Sequence, residues 1–510
     1  MEIAIEKKKT YQRKTVSVCP ECLRTIPAEI REENGQIIIE KNCPQHGNFK
    51  DVIWSDADLY KKFKDYERPG FKVKNPEVKL TEGCPKDCGL CELHESHTAL
   101  ALIDITNRCN LNCPICFANA NAMGYVVEPT FEQIVEIMKH FREMDPPAVA
   151  IQFSGGEPTV REDLPELIRK AKELGFTQIQ IATNGVRMAQ SADYVRTLVE
   201  AGLNTAYLQF DGVTEKPYTI ARGKNLFEIK QKALENCRKG GLKSIVLVPT
   251  VVKGVNDDQL GEIIKFAINN SDIVRGIVFQ PVSLTGRIPQ DQLKSMRITS
   301  PEVMRKIEEQ TGGALRVSDF YSINCLVDFG RIIAWYSNAP MVEFTNATDC
   351  GLATYIVLNE DRTFYPITEL VDVDGLISDA RKIWKLTNDG KKKGFLTRLR
   401  VKLALYRAFK RHVKRKDKTI ELIKDVLGKG EKKRLAKFSG RTLLIGSMHF
   451  QDPYNFDLER VKKCVIHYGV HTGKEVRVIP FCAMNTLFRD EYWSPKYATK
   501  MIRKSSQKER

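Results

Sequence analysis

The sequence predicts an α/β protein centred on a partial (β/α)6 barrel, with an N-terminal metal-knuckle region before it and a C-terminal cysteine-containing region after it. Three observations predict this. Six apolar runs alternate with helix-period segments between about residues 98 and 300. "CNLNCPIC" (109–116) repeats the C-x3-C-x2-C spacing of "CPKDCGLC" (84–91). A C-x2-C…C-x2-H set precedes both triplets. The regions are 1–97, 98–300 and 301–510.

In the first region, Cys19, Cys22, Cys43 and His46 could wrap one tetrahedral metal with three thiolates and an imidazole. Zinc and mononuclear iron use the same geometry, so the spacing leaves one Zn or Fe open. The surrounding chain reads as turn-rich, with short strand-like runs such as "GQIIIE" (35–40).

The barrel strands are predicted at 98–105, 148–153, 177–182, 205–210, 244–251 and 276–282, with helices such as 131–144 and 163–174 between them. Continuous apolar runs separated by helices point to a parallel sheet covered by helices. In such folds the chemistry sits at the C-terminal ends of the strands. The triplet Cys109, Cys113 and Cys116 follows the first strand and could hold three irons of a 4Fe–4S cluster, leaving the fourth iron open. "FSGGEP" (153–158) follows the second strand; its glycines permit close backbone approach and Glu157 can hold an ammonium group.

Beyond 300, "DCGLATYIVLNEDRTFYPI" (349–367) reads as strand, turn, strand. Next comes "KKKGFLTRLRVKLALYRAFKRHVKRKDK" (391–418), with thirteen Lys or Arg and one Asp. There Leu396, Leu399, Leu403, Tyr406 and Val413 recur at helical spacing, and Arg400, Arg407, Arg411 and Lys414 project from another side. This is a basic amphipathic helix, suited to a solvated surface packed on the body, to an anionic membrane or to nucleic acid.

Composition narrows the class. The 510 residues are 42% hydrophobic, enough for ordinary cores, and the net charge is +16. The fourteen cysteines are clustered, which fits metal sites in a reducing compartment better than a disulfide framework. The charged opening "MEIAIEKKKTYQRK" shows no secretory signal, and no apolar run reaches the roughly 18 residues of a spanning helix. A cytoplasmic protein is expected, any contact with a membrane being peripheral. Few aromatics (Tyr406, Phe409) interleave the basic runs, so a metal-stabilised nucleic-acid-binding protein is the weaker class and no nucleic acid partner is expected.

The order of the cysteine loop after strand one, Gly155-Gly156-Glu157-Pro158 after strand two, "TNG" (183–185) after strand three and "QFDG" (209–212) after strand four resembles the radical S-adenosylmethionine (SAM) superfamily. The resemblance implies that Cys109, Cys113 and Cys116 ligate the cluster that binds SAM. Glu157 and the Gly155–Gly156 backbone would then hold its methionine moiety, with Asn184 and Asp211 lining the pocket near ribose and adenine. One-electron reduction then yields a 5′-deoxyadenosyl radical that abstracts hydrogen. Ile115 stands where the family usually places an aromatic residue, and Phe117 follows one position past it.

The triplet Cys84, Cys88 and Cys91 precedes the first strand and reads as an auxiliary cluster, its fourth ligand drawn from His94, His97 or a distant cysteine. The 350–367 segment is similar to the SPASM-type auxiliary-cluster module, with Ile367 where a closing cysteine is expected. Cys325, Cys350, Cys464 and Cys482 are pooled as candidates for a further cluster or for completing the first. Cys237, in step with Leu226, Ile229 and Ala233, reads as core.

The doubled triplet, the N-terminal knuckle and the "YPI" hairpin together resemble archaeal radical SAM proteins first assigned to pterin methylation and later recognised as tetraether lipid synthases. The resemblance implies the joining of terminal carbons of two isoprenoid chains, turning archaeal diether lipid into tetraether or macrocyclic lipid, with a reducing electron donor and an anionic membrane surface as partners. A radical methyltransferase acting on a pterin is the alternative.

Overall fold

The computed structural model describes residues 10–289, 293–337, 342–387, 394–415 and 441–501. Strands β1 (Gln12–Val18), β2 (Thr25–Glu33), β3 (Gln36–Cys43) and β4 (Gly47–Trp54) form an antiparallel meander. This stretch is more regular than the turn-rich chain the cysteines suggest. Asn34 and Gly35, both with positive φ (49° and 74°), make the tight turn between β2 and β3, a conformation that Asn-Gly adopts at low cost. The helix Ala57–Lys64, capped by the Asp56 carboxylate on Leu59 N–H, packs Tyr60 and Phe63 on Trp54 and closes the sheet.

The six expected barrel strands are present as β5 (Leu100–Thr106), β7 (Ala150–Gly155), β8 (Gln178–Thr183), β9 (Thr205–Gln209), β10 (Ile245–Val248) and β12 (Val274–Pro281), parallel and in that spatial order. Two short strands accompany them: β6 (Tyr125–Val126) lies outside the sheet and β11 (Thr250–Val251) pairs with β12. One face of the sheet is mainly apolar. Ile103, Phe153, Ile181, Leu208, Leu247 and Ile277 are all buried there beneath the helices, each such side chain contributing about 1.5–3 kcal/mol. The opposite face carries Gln152, Gln180 and Tyr207, and Gln180 donates to Gln152 at 2.8 Å.

The chain beyond 300 extends this same sheet on both edges. On one side β16 (Thr442–Met448) runs parallel to β12 and carries β14 (Gly351–Leu358), which pairs with β13 (Tyr321–Ser322) and β15 (Phe364–Pro366). On the other side β17 (Ile466–His471) runs parallel to β5 and carries β18 (Val476–Pro480). Strand β19 (Lys500–Met501) pairs with β6.

The expected basic helix spans Phe395–His412; residues 391–393 and 416–418 lie outside the described residues. Its seating differs from the usual amphipathic arrangement. Val401 and Ala408 face the helix Val373–Thr387, while Phe395 (80% exposed), Leu396 (71%) and Tyr406 (62%) face outward with Leu399 and Leu403. Small side chains permit the close helix–helix approach, so the larger apolar ones are left on the free side.

Candidate functional site

The loop after β5 is held in shape by one side chain. Asn121, in the left-handed region at φ 64°, accepts from Cys109 N–H (3.0 Å) and donates to the carbonyls of Cys109 (2.7 Å) and Leu111 (3.0 Å). Arg287 reaches the Cys113 carbonyl at 2.7 Å and pairs backbone to backbone with Cys116. Burial pushes the Cys109 thiol up to about 12; bound iron stabilises the thiolate outright. The loop therefore presents Cys109, Cys113 and Cys116 together at the C-terminal end of the barrel.

The Gly-Gly turn supports this loop directly. A Cβ on Gly155, at φ 125°, would meet the Thr106 carbonyl at 2.1 Å, and one on Gly156 would meet the Arg108 carbonyl at 2.1 Å. Gly156 N–H and Glu157 N–H donate to those same carbonyls at 2.7 and 2.8 Å. The close approach permitted by the glycines is thus toward the cysteine loop. Glu157 is fully buried: Oε1 accepts from Thr159 N–H, Thr159 Oγ1 and Thr183 Oγ1, and Oε2 from Asn184 N–H at 2.7 Å. Burial raises its pKa against these bonds. Oε2 keeps acceptor capacity for an ammonium group.

Asn184 donates to Asn110 Oδ1 at 2.6 Å and lies 3.9 Å from Cys109 Sγ. Asp211 is completely buried and forms a two-point ion pair with Arg222, at 2.6 and 2.8 Å. Arg222 also donates to the Ile115 carbonyl at 2.9 Å and faces the Cys113 and Cys116 thiols. Sequence reasoning missed Arg222 and its neighbour Lys230. Lys230 is fully buried, donates to the Asn184 carbonyl (2.6 Å) and Gln209 Oε1 (2.7 Å), and is driven down to about 7 by burial. Its position on the apolar side of the helix Phe227–Gly240 was the available clue. A third missed group is Arg489, buried beneath the barrel mouth on Asp104 (2.6 Å), Asn485 and the Tyr468 ring. Asp104 is the lone acid of "LALIDIT".

The N-terminal knuckle is assembled. The ligand atoms of Cys19, Cys22, Cys43 and His46 all lie within 4.8 Å of one another, and His46 Nδ1 is 3.5 Å from both Cys19 and Cys43 Sγ. Cys43 is drawn down to about 6, first by the Gln45 backbone N–H and then by His46. These donors fit one tetrahedral metal. Behind it, buried Lys41 donates to Ser17 Oγ and to the Pro453 carbonyl, clamping the ribbon to the body.

Cys84, Cys88 and Cys91 also sit together, with Cys88 and Cys91 buried. The nearby histidines are engaged elsewhere: His94 Nε2 meets the Cys464 carbonyl (2.9 Å) and His467 Nε2 (3.1 Å), and His97 lies near Glu343 and Arg331. Cys350, Cys464 and Cys482 form a separate nest, each close enough to feel the others' charge, with Arg460 beside Cys350 and Cys482. Cys325 is apart from them, buried near Tyr321, Tyr66 and Asp374. Ile367 opens a short helix after β15. Cys237 is buried in the helix core as expected. Phe117, next to Cys116, stacks on Phe481, next to Cys482, at 5.6 Å, and Phe450 packs on Phe481 at 4.3 Å. The displaced aromatic residue of the cysteine motif therefore lies between the SAM-type loop and the C-terminal nest.

A barrel with this loop, turn and strand order defines a radical SAM enzyme, and the family model for the radical SAM superfamily matches residues 103–267. A second model, the HMPTM N-terminal zinc ribbon domain, matches residues 11–55. A relative from Methanocaldococcus jannaschii, described as 7,8-dihydro-6-hydroxymethylpterin dimethyltransferase, is 48% identical over 486 residues and 94% of each chain. The chain belongs to the radical SAM superfamily and, within it, to the family of this relative. A GTP 3',8-cyclase from Limosilactobacillus fermentum is 30% identical over 184 residues, covering 35% of this chain and 54% of the relative. The structure of Streptococcus suis SuiB bound to S-adenosylmethionine is 21% identical, covers 43% of this chain and 48% of the other, and has a TM-score of 0.34. A 4Fe–4S cluster held by Cys109, Cys113 and Cys116, with SAM beside Glu157, would supply a one-electron route to a primary carbon radical. Among the described residues no helix is long and apolar enough to cross a membrane.

Proposed function

We propose that this chain forms carbon–carbon bonds at carbons too inert for acid–base chemistry, and that its substrate is a hydroxymethyl-dihydropterin, methylated by a radical route. The observation that carries this reading is the 48% identity, across 94% of both chains, to the relative described as a pterin dimethyltransferase. The half-buried Gln152 and Tyr207 beside Gln180 on the free face of the sheet offer the amide and hydroxyl groups a pterin ring needs.

A second reading is the joining of archaeal diether lipid chains, and a different observation favours it. The outward side of the helix Phe395–His412 combines Phe395, Leu396, Leu399, Leu403 and Tyr406 with Arg398, Arg400, Lys402 and Arg407 and carries no acid. Tyr336, itself exposed, meets Arg398 at 5.9 Å and extends the surface. Such a face suits an anionic lipid surface, with apolar side chains entering the acyl boundary and cations at the headgroups. The aromatic layer of Phe117, Phe450 and Phe481 between two thiol sets would suit an apolar chain.

Anaerobic incubation with SAM, reductant and either the pterin or vesicles of archaeal diether lipid separates the readings. Methylated pterin with unchanged lipid supports the first; tetraether or macrocyclic lipid with unchanged pterin overturns it in favour of the second. For the surface, Leu396→Glu with Leu399→Glu should abolish sedimentation with anionic vesicles. Binding equal to the parent chain would show that this face is not the lipid contact.

A further inference from the structure

Cys350, Cys464 and Cys482 come from three separate elements: the turn before β14, the turn before β17 and the short helix Phe481–Ala483. Three thiolates leave one iron of a 4Fe–4S cluster without a protein ligand. Cys237 and Cys325 are buried elsewhere, so no fourth cysteine joins the nest.

The ladder supplies a different donor. Strands β14 and β16 run antiparallel with Gly351 opposite Met448, so Cys350 and His449 are the next opposed residues, and His449 N–H donates to the Cys350 carbonyl at 3.2 Å. Opposed residues in such a ladder carry their side chains on the same face, with Cβ atoms about 4.5–5.5 Å apart. The His449 side chain is 1% exposed, and neither Nδ1 nor Nε2 has a hydrogen-bond partner. Two more buried donors beside the nest are also unpaired: Gln451 Nε2, whose backbone N–H meets Cys482 Sγ at 3.4 Å, and Nε of Arg460, whose guanidinium binds the His449 carbonyl. A buried polar group left without a partner is costly. Three of them around three thiols mark a place built for a group that accepts hydrogen bonds and takes a lone pair.

We propose that His449 is the fourth protein ligand of an auxiliary 4Fe–4S cluster held by Cys350, Cys464 and Cys482. The three thiols bind as thiolates and release three protons, the imidazole binds through a neutral nitrogen, and no electrons are exchanged. Arg460 Nε and Gln451 Nε2 then donate to cluster sulfur. The proposal rests on reading this nest as a cluster site, which the same experiment tests separately.

The full chain, labelled with 15N-histidine, reconstituted anaerobically and reduced without SAM, is measured by iron analysis and pulsed EPR. Histidine nitrogen coupling should appear and should vanish in His449→Cys with the iron content retained. His449→Ala should lose the coupling and shed iron to a chelator about 10–100-fold faster, the scale of a lost metal-site interaction. Full iron without nitrogen coupling, or coupling that survives His449→Cys, overturns the assignment of His449. Unchanged iron in the Cys350→Ala, Cys464→Ala, Cys482→Ala variant, in place of a loss of about four irons per chain, overturns the cluster site itself. Circular dichroism of each variant against the parent identifies a chain that has failed to fold, and the His449→Cys arm is then read alone.

Discussion

The triplets Cys84-Cys88-Cys91 and Cys109-Cys113-Cys116 have the same spacing and different surroundings. The second follows β5 and stands on charged groups: Glu157, the Asp211–Arg222 pair and Lys230. The first precedes β5 and is packed among apolar groups. Gly89 sits so close to Val78 that a Cβ would lie 2.5 Å away, and the charges that act on this triplet, Arg477 on Cys88 and Lys462 with Glu459 on Cys84, stand to its side. Even the loop fasteners differ. Asp87 gathers the N–H groups of Thr81, Glu82 and Gly83 before the first triplet, and these bonds pull its carboxyl down to about 2. Asn121 does the corresponding work in the second with a neutral amide. Identical cysteine spacing thus lies in a largely buried place in one case and beside a polar pocket in the other.

The largest test removes one thiol from each. Cys113→Ala should abolish 5′-deoxyadenosine formation, beyond the about 10–100-fold that supporting residues cost. Cys88→Ala should leave reductive SAM cleavage within a few-fold while lowering iron by about four per chain. Equal loss of SAM cleavage in both variants would erase the distinction.

The charged floor is tested next. Arg222→Met leaves Asp211 buried without its partner, so denaturant unfolding should show a loss of about 3–5 kcal/mol. The pair beside the first triplet, Lys462 with Glu459 at 2.6 Å near Cys84, is more exposed. A loss below 1 kcal/mol, on the order of an exposed pair, would show that Asp211 is not held as the structure shows.

Asn121→Ala and Asp87→Ala form a matched pair. Each removes the short local hydrogen bonds that fasten its own cysteine loop. Chelator challenge followed by EPR should show faster iron loss from the 109–116 site in the first variant and from the 84–91 site in the second. Crossed effects would mean that the two loops do not act independently.

A pH slope provides the last test. Lys230 has a folded value of about 7, below the ordinary lysine value of 10.5. The unfolded chain therefore binds the extra proton between these values, and stability gained from Lys230 rises with pH across that window. The slope is at most about 1.4 kcal/mol per pH unit. Lys230→Met should flatten it in denaturant titrations at pH 7 to 10, and an unchanged slope would assign the proton to another group.

Much of the barrel was legible because its information is local. A run such as "TQIQIA" followed by "TNG" is a strand and its loop within a few residues, and a parallel strand buried on its helix side is apolar at each outward position. Cys109, Cys113 and Cys116 were legible for the same reason, as was the ribbon of Cys19, Cys22, Cys43 and His46. The amphipathic helix was half legible. Its periodicity and charge were visible, but whether Leu396 faced the body or the solvent depended on the partner helix Val373–Thr387.

The sequence by itself determined the barrel strands, the cysteine loop with its Gly-Gly-Glu support and the metal knuckle, since each is specified by spacing within one turn or one strand. Only the tertiary structure decided that Arg222 would neutralise Asp211 under the 109–116 loop, that strands from beyond residue 300 would extend both edges of the sheet, and that Cys350, Cys464 and Cys482 would meet while Cys325 stayed apart. Those outcomes depend on which distant strands pair, and strand pairing is set by the burial of whole faces that no short stretch of sequence contains.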